Sequence, residues 1–335
     1  MAKIIEAKEL RCLQRQPLQE LIPLSSPFVV FIEPTNLCNL SCVFCPTSDR
    51  ELLRNVGRPA GMMSMKLFEK IISDLTAFES PSKILHLYKD GEPLLHPHII
   101  DMLTLLKQAK VTEQIRIKTN GTLLNPVLNA HLIDTGIDWI GISVESVNSA
   151  GYKKVTGVGI DYEKFKNNIR DLFQRRQKCE VYTKIVDVNL SQEEKDKFFC
   201  DFSPISDFCA IENLMGLSYS DSKDFMMGTI PETQDGLPLV EKHVCPYPFY
   251  ALSINFNGSV SVCCADWAHK TVVGDVSCNS LKEIWNSATM YAFRNMHLEH
   301  RRNSNLACAN CHYITTAPDI LDGYESLILD KLKSH

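Results

Sequence analysis

Three cysteines crowd into eight residues of the segment EPTNLCNLSCVFCP: Cys38, Cys42 and Cys45, spaced C-x3-C-x2-C. Thiolates bind soft and borderline metals, and a loop this tight turns all three to one side. A structural zinc site closes with four ligands, usually from paired C-x2-C units, so the triplet alone makes a poor one. Iron–sulfur clusters are held by such runs, and three thiolates on a four-iron cube leave one iron open to an outside ligand. A second group follows. Cys245 and Cys263 flank PYPFYALSINFNGSVSV, and Cys308 and Cys311 form C-x2-C in LACANC. Together these four thiolates would close a site. The remaining Cys12, Cys179, Cys200, Cys209, Cys264 and Cys278 read as small core residues.

The compartment implied by this thiol usage is reducing. The chain has 335 residues and 13 cysteines, an odd number that excludes complete disulfide pairing. The N-terminal MAKIIEAKELRCLQRQ has no apolar core of a signal peptide, so a cytoplasmic protein is expected. No apolar run approaches bilayer length, so no membrane partner is expected. Lys and Arg total 35 against 40 Asp and Glu, a net charge of −5, which excludes a strongly basic nucleic-acid binder.

Strands and helices must position these groups. FVVFIE (residues 28–33) reads as a buried strand leading into the cysteine loop, and Ser64 can cap a helix carrying Leu67, Phe68, Ile71, Ile72 and Leu75 on one face. Further strands are expected at 83–88, 114–118, 137–144, 180–188 and about 207–212, with helices between them. Six strand–helix repeats build a parallel α/β sheet, either open and doubly wound or a partial barrel, whose chemistry collects at the C-terminal strand ends. The cysteine loop, KDGEP (89–93), KTNG (118–121), Ser143 and Glu145 all fall there. Residues 220–243 read as a linker. Beyond them, Asn257-Gly258 predicts a two-residue hairpin turn. Ser280 and Glu283 predict a capping box, followed by one helix with Leu281, Ile284, Trp285, Ala288 and Ala292 on a single face.

These motifs, in this order, resemble the radical S-adenosylmethionine (SAM) enzymes with a C-terminal SPASM/Twitch-type auxiliary-cluster extension. The resemblance implies a partial (β/α)6 TIM-like barrel over residues 28–219, after an N-terminal extension (1–27). The linker at 220–243 would then lead to a small α+β auxiliary domain at 244–335. It implies that Cys38, Cys42 and Cys45 ligate a [4Fe–4S] cluster whose open iron takes SAM. Asp90, Gly91, Glu92 and Pro93 correspond to the turn that meets the SAM amino group, with Asp90 in place of the family's first glycine. Lys118, Thr119, Asn120, Ser143 and Glu145 correspond to strand-end SAM contacts, and Phe44 to the apolar residue beside the adenine. Thr156 stands where many relatives carry an arginine for the SAM carboxylate, and Lys184 is a candidate substitute. Cys245, Cys263, Cys308 and Cys311 correspond to the ligands of one auxiliary [4Fe–4S] cluster. Cys264 could replace Cys263, and a four-thiolate zinc site is the rival.

The implied chemistry is reductive cleavage of SAM and removal of a substrate hydrogen, with a flavodoxin- or ferredoxin-type electron donor. A closed auxiliary cluster suits electron transfer, which points to two-electron dehydrogenation of a small polyhydroxylated molecule, a sugar or aminocyclitol. Lys184, Asp187 and Glu212, near the late strand ends, are the candidate bases. A peptide-modifying maturase or epimerase is the alternative, with Cys200 or Cys209 as hydrogen-atom donor, although the 27 residues ahead of the barrel are short for a peptide-binding domain. A zinc-stabilised interaction module is the non-enzymatic alternative.

Overall fold

The computed structural model describes residues 3–4, 16–214, 232–233 and 238–334. Cys12 and residues 215–231 of the expected barrel end and linker lie outside them. A two-residue strand, β1 (Lys3–Ile4), is followed by β2 (Val29–Ile32), β3 (Ser82–His86), β4 (Thr112–Thr119), β5 (Trp139–Val144), β6 (Glu180–Asp187) and β7 (Phe208–Asn213). Strands β2 to β7 pair in parallel in chain order, and β1 adds beyond β7. The sheet does not close, so the expected partial barrel is what forms. Both faces of such a sheet are covered, and its strands therefore read as apolar runs. Val30, Leu85, Ile117, Ile140, Ile142 and Val181 are fully buried.

Local signals set the helices that cover this sheet. Ser64 accepts a hydrogen bond from the Leu67 amide at the start of helix Met65–Thr76, whose Phe68, Ile71 and Leu75 face the core. Ser191 and Glu194 form a reciprocal capping box on helix Gln192–Phe202. No helix among the described residues is long and apolar enough to cross a membrane.

The C-terminal segment extends the same sheet. β8 (Ala251–Ile254) runs parallel to β2, with Val29 opposite Ala251 and Ile32 opposite Ile254, and β9 (Ser259–Ser261) and β10 (Val272–Asp275) follow antiparallel. Two local expectations change. The hairpin closes through the Asn255 amide on the Ser259 carbonyl at 2.9 Å, so its loop has three residues, 256–258, rather than two. Gly258 sits there at φ +92°, the left-handed position such a loop requires. The expected single helix after Ser280 is two, Leu281–Trp285 and Ala288–Leu298, because Ser287 caps the second through the Met290 amide. The break turns Ala288 and Ala292 to solvent and buries Met290, Arg294 and His297 instead.

Ile254 is fully buried where β8 joins β2. Ile254→Ala should lower unfolding stability by about 2–5 kcal/mol through the cavity it leaves, read as a lower urea midpoint at unchanged slope.

Candidate functional site

The cysteine triplet follows directly from β2, and side chains on both flanks pin its loop. Thr35 Oγ1 donates to the Gly61 carbonyl at 2.8 Å, and Asn36 bonds Pro59 and Gly61 through both ends of its amide. The amides of Ser41 and Val43 donate to the carbonyls of Thr156 and Val155 on helix Ser149–Thr156. Thr156, placed by sequence at the missing arginine, is thus buried and holds the loop by its backbone. Burial pushes the Cys38 thiol up to about 11 and those of Cys42 and Cys45 up as well. Phe44 is half-buried between the last two cysteines.

The turn after β3 locks against this loop. Gly91 has φ +74°, and a Cβ there would lie 2.5 Å from the Leu37 carbonyl oxygen, so only glycine fits. The Glu92 amide donates to that same carbonyl at 2.8 Å. The Glu92 carboxylate is buried and accepts from Thr119 Oγ1, the Asn120 amide and the Leu94 amide at 2.7, 2.7 and 2.9 Å. Burial still holds its pKa above the ordinary value. Asn120 Nδ2 in turn donates to Asn39 and lies 3.9 Å from Cys38 Sγ. Lys118 extends over the Tyr88 ring, and Pro93 opens a buried turn.

On the other side of the triplet, β5, β6 and β7 bring Ser143, Glu145, Lys184 and Glu212 together. Ser143 pairs with Lys184 in the ladder, and Lys184 Nζ lies 3.6 Å from Glu212 Oε2. Tyr182, on the same face of β6, donates to Glu212 at 2.9 Å. Glu145 is pushed up by burial, with Lys184 opposing, and both bear on Cys42. Asp187 stands apart: its carboxylate caps the Leu190 amide and pairs with Lys195 at 2.6 Å. Cys209 is buried beside Thr183, and Cys200 is exposed on an outer helix, so neither reaches this cluster.

The second cysteine set also converges. Cys245 and Cys311 lie near enough to each other, and to Cys263 and Cys308, to oppose ionisation there. Burial pushes the Cys245 thiol up to about 12 and raises Cys308 and Cys311 too. The Ala265 amide points at Cys263 Sγ at 3.3 Å. Cys264 differs: the neighbouring Cys263 thiol donates to it and lowers its pKa, and it lies 3.9 Å from the Tyr313 hydroxyl. Among the described residues, no three sulfurs lie mutually within 4.8 Å. One tetrahedral zinc with bonds of about 2.3 Å needs sulfurs about 3.8 Å apart. Neither set brings three sulfurs that close together, a spacing that suits a larger inorganic core.

Sequence reasoning missed the group between the two sets. Glu33, Arg58, Lys89, Asp90 and His269 meet in a buried charge cluster drawn from four separate segments. Asp90 Oδ2 lies 3.3 Å from Arg58 Nη2 and 3.2 Å from Lys89 Nζ. Lys89 Nζ donates to Asn255 Oδ1 at 2.9 Å and to the Asp266 carbonyl at 3.0 Å, on the loop after Cys263 and Cys264. Burial opposes the ionisation of Asp90, but Lys89 and Arg58 overcome it and hold its pKa below the ordinary value. Glu33 goes the other way, because its burial outweighs Lys89. Burial and the two cations keep His269 neutral, with a pKa of about 4. The ligand atoms of Glu33, Asp90 and His269 lie within 4.8 Å of one another. A metal cation there would compete with two fixed ones, so the group is an ion-pair cluster. Asp90, the departure from the family glycine, therefore serves this cluster.

Lys89→Met leaves Glu33 and Asp90 to Arg58 alone. It should cost about 3–5 kcal/mol of stability, the range for breaking a buried pair. The double variant Lys89→Met/Asp90→Asn should recover part of that loss in a denaturation cycle.

Comparison with known proteins adds the following. The radical SAM superfamily model matches residues 32–196, and the iron–sulfur cluster-binding (SPASM) domain model matches residues 245–312. A tungsten-containing aldehyde ferredoxin oxidoreductase cofactor-modifying protein of Pyrococcus furiosus is 29% identical over 144 residues, 42% of this chain and 38% of that one. The GTP 3′,8-cyclase of Chlorobaculum tepidum is 30% identical over 129 residues, 38% of this chain and 36% of that one. The chain thus spans well under half the length of these curated relatives. Among solved structures, BtrN in complex with AdoMet and 2-DOIA superposes with a TM-score of 0.56 at 18% identity, covering 85% of this chain and 92% of that one. AdoMet-bound anSMEcpe gives 0.63 at 14% identity, covering 92% and 96%. Streptococcus suis SuiB bound to S-adenosylmethionine gives 0.62 at 17% identity, covering 93% and 76%. At these identities the likeness shows the fold.

Proposed function

The chain belongs to the radical SAM superfamily and carries a SPASM-type iron–sulfur domain, and we propose that it dehydrogenates a small polyhydroxylated substrate, a sugar or aminocyclitol, by two electrons. Its cofactors are SAM and [4Fe–4S] clusters. The observation that carries the proposal is the division of seven thiols into a set of three and a set of four. Three ligands leave an iron open for SAM, and four close a cluster against substrate, which leaves it electron transfer. Superposition on BtrN, crystallised with AdoMet and 2-DOIA, supports the substrate class. Held by Cys38, Cys42 and Cys45, a cluster with SAM would supply the radical chemistry that removes a hydrogen atom from carbon, and one held by Cys245, Cys263, Cys308 and Cys311 would supply the electron acceptor.

In this reading the barrel is residues 28–219 and the auxiliary domain 244–335. Cys38, Cys42 and Cys45 hold the SAM-binding cluster; Cys245, Cys263, Cys308 and Cys311 hold the auxiliary one. Asp90, Gly91, Glu92 and Pro93 shape the floor beneath the SAM amino group, and Phe44 packs the adenine. Lys118, Thr119, Asn120, Ser143 and Glu145 contact the rest of SAM. Lys184, beside Cys42 and Glu145, meets the SAM carboxylate that Thr156 cannot reach. Of the three candidate bases, Asp187 stands apart with Lys195, and the substrate proton is assigned to Glu212, which shares the cluster beside the triplet with Lys184 and Tyr182. A flavodoxin- or ferredoxin-type protein supplies the first electron.

With dithionite and SAM under anaerobic conditions, the protein should release 5′-deoxyadenosine, and Cys38→Ala/Cys42→Ala/Cys45→Ala should abolish it; persistence in that variant sinks the site assignment. Lys184→Met should raise the dissociation constant for SAM roughly tenfold, the loss of one charge-assisted contact. Iron should fall from about eight to about four per chain in Cys308→Ala/Cys311→Ala. Against a panel of cyclitols and amino sugars, turnover should give one 5′-deoxyadenosine per product two hydrogens lighter. A product of unchanged mass overturns dehydrogenation.

A further inference from the structure

Arg302 lies in the turn Arg302–Ser304, between helix Ala288–Leu298 and the short helix Leu306–Ala309 that carries Cys308. Its Nη1 donates to the Cys311 carbonyl at 3.4 Å. Its guanidinium lies close enough to three of the four auxiliary cysteines, Cys245, Cys308 and Cys311, to act on them electrostatically, with Asp266 acting in the opposite sense at Cys308. Among the described residues no carboxylate pairs with it, whereas its exposed neighbour Arg301 pairs with Glu299. Behind it, His297 is buried with both ring nitrogens unpartnered. Burial first and the Arg302 charge second hold that ring neutral, at about 4.

The other charges near this set are held by partners of their own, and of them Asp266 opposes Arg302 at Cys308. Lys242, near Cys245, bonds the Ala317 carbonyl and faces Asp319 and Asp322. Lys89 faces Cys264 from the ion-pair cluster, with Asp90 beside it. Asp266 accepts from the Lys270 and Thr271 amides and from the hydroxyls of Ser261 and Thr271. Among the described residues, Arg302 remains as the cation near this set that no carboxylate pairs. The triplet has the opposite setting: Glu92 bears on Cys38, Glu145 and Lys184 bear on Cys42, and Asp90 and Glu145 bear on Cys45, all three acids opposing negative charge.

We propose that Arg302 is a positioning residue for the electron: its guanidinium raises the reduction potential of the four-cysteine cluster and makes that site the electron's destination. The proposal rests on the dehydrogenase reading and extends it. A [4Fe–4S] cluster with four thiolates is already anionic, and reduction adds one more negative charge. A nearby cation in a partly desolvated site stabilises the reduced form more than the oxidised one. The electron comes from the substrate radical, whose hydroxyl proton leaves to a base as the carbonyl forms.

The test uses full-length protein carrying Cys38→Ala/Cys42→Ala/Cys45→Ala, so that the auxiliary cluster is the sole cluster, titrated anaerobically by EPR against a redox mediator series. Arg302→Gln should lower the equilibrium constant for reduction at least tenfold, about 59 mV for one electron. Arg302→Lys should restore most of that, and Arg301→Gln should leave it unchanged, each with four irons per chain. An unmoved midpoint in Arg302→Gln overturns the proposal, as does an equal shift in Arg301→Gln. Loss of iron from Arg302→Gln and Arg302→Lys alike would also overturn it, by showing a structural role. A four-cysteine site that takes up no iron even in the parent protein sinks the dehydrogenase reading; an iron-loaded site indifferent to Arg302 sinks this proposal alone.

Discussion

The buried ammonium of Lys89 is the contact on which the rest of the arrangement depends. Its side chain is fully buried, so its charge persists only because Asp90 and Glu33 face it and Asn255 and the Asp266 carbonyl accept from it. Those partners come from the end of β2, the turn after β3, the end of β8 and the loop after Cys264. One side chain therefore sets the distance between the two cysteine-bearing loops. A hydrophobic residue of the same size could fill the space, and buried ion pairs are often no more stabilising than such a replacement. What the ion pairs add is direction: each fixes a separation and an angle between the loops that carry the two cysteine sets.

The same economy governs the loops themselves. The turn at 90–93 and the cysteine loop touch through backbone, with the Leu37 carbonyl taken by the Glu92 amide and crowded by Gly91. Glu92 then gathers donors from the turn after β4. A carboxylate placed there organises three strand ends at once, and the cost of burying it is visible in its raised pKa. Parallel strands make this possible, because their C-terminal ends all open onto one rim.

Much of this was legible in the sequence because it was local. Hydrophobic runs marked the parallel strands, Ser64 and Ser280 marked helix starts, and cysteine spacing marked two sets of thiols that the fold draws together. Three features were not legible, each for a physical reason. The ion-pair cluster joins residues as far apart as Glu33 and His269, and no periodicity records such a meeting. The helix after Ser280 breaks because Ser287 offers a second cap; propensity alone carries the pattern through it. The hairpin at Asn257-Gly258 takes three loop residues, since the strand register, set by pairing with β2, leaves Phe256 in the loop. Asp187 illustrates the converse: its place at a strand end suggested chemistry, but Lys195 on the next helix takes the carboxylate.

Burial of the thiols ties cofactor loading to stability. Most of the seven ligand candidates are harder to ionise in the fold than in water, so without iron these loops hold neutral sulfurs in a setting built for charged ones. Metal binding to such groups releases protons and contributes folding free energy directly. Both sets receive some help from the protein: the Leu40 amide lies 3.5 Å from Cys38 Sγ and Lys184 bears on Cys42, while the Ala265 amide and Arg302 serve the second set. Both are also opposed, by Glu92, Glu145 and Asp90 at the triplet and by Asp266 at Cys308. The difference is the number of thiolates. On the proposed ligand sets, three leave one iron open and four close the cluster, so the triplet should be the first to lose iron.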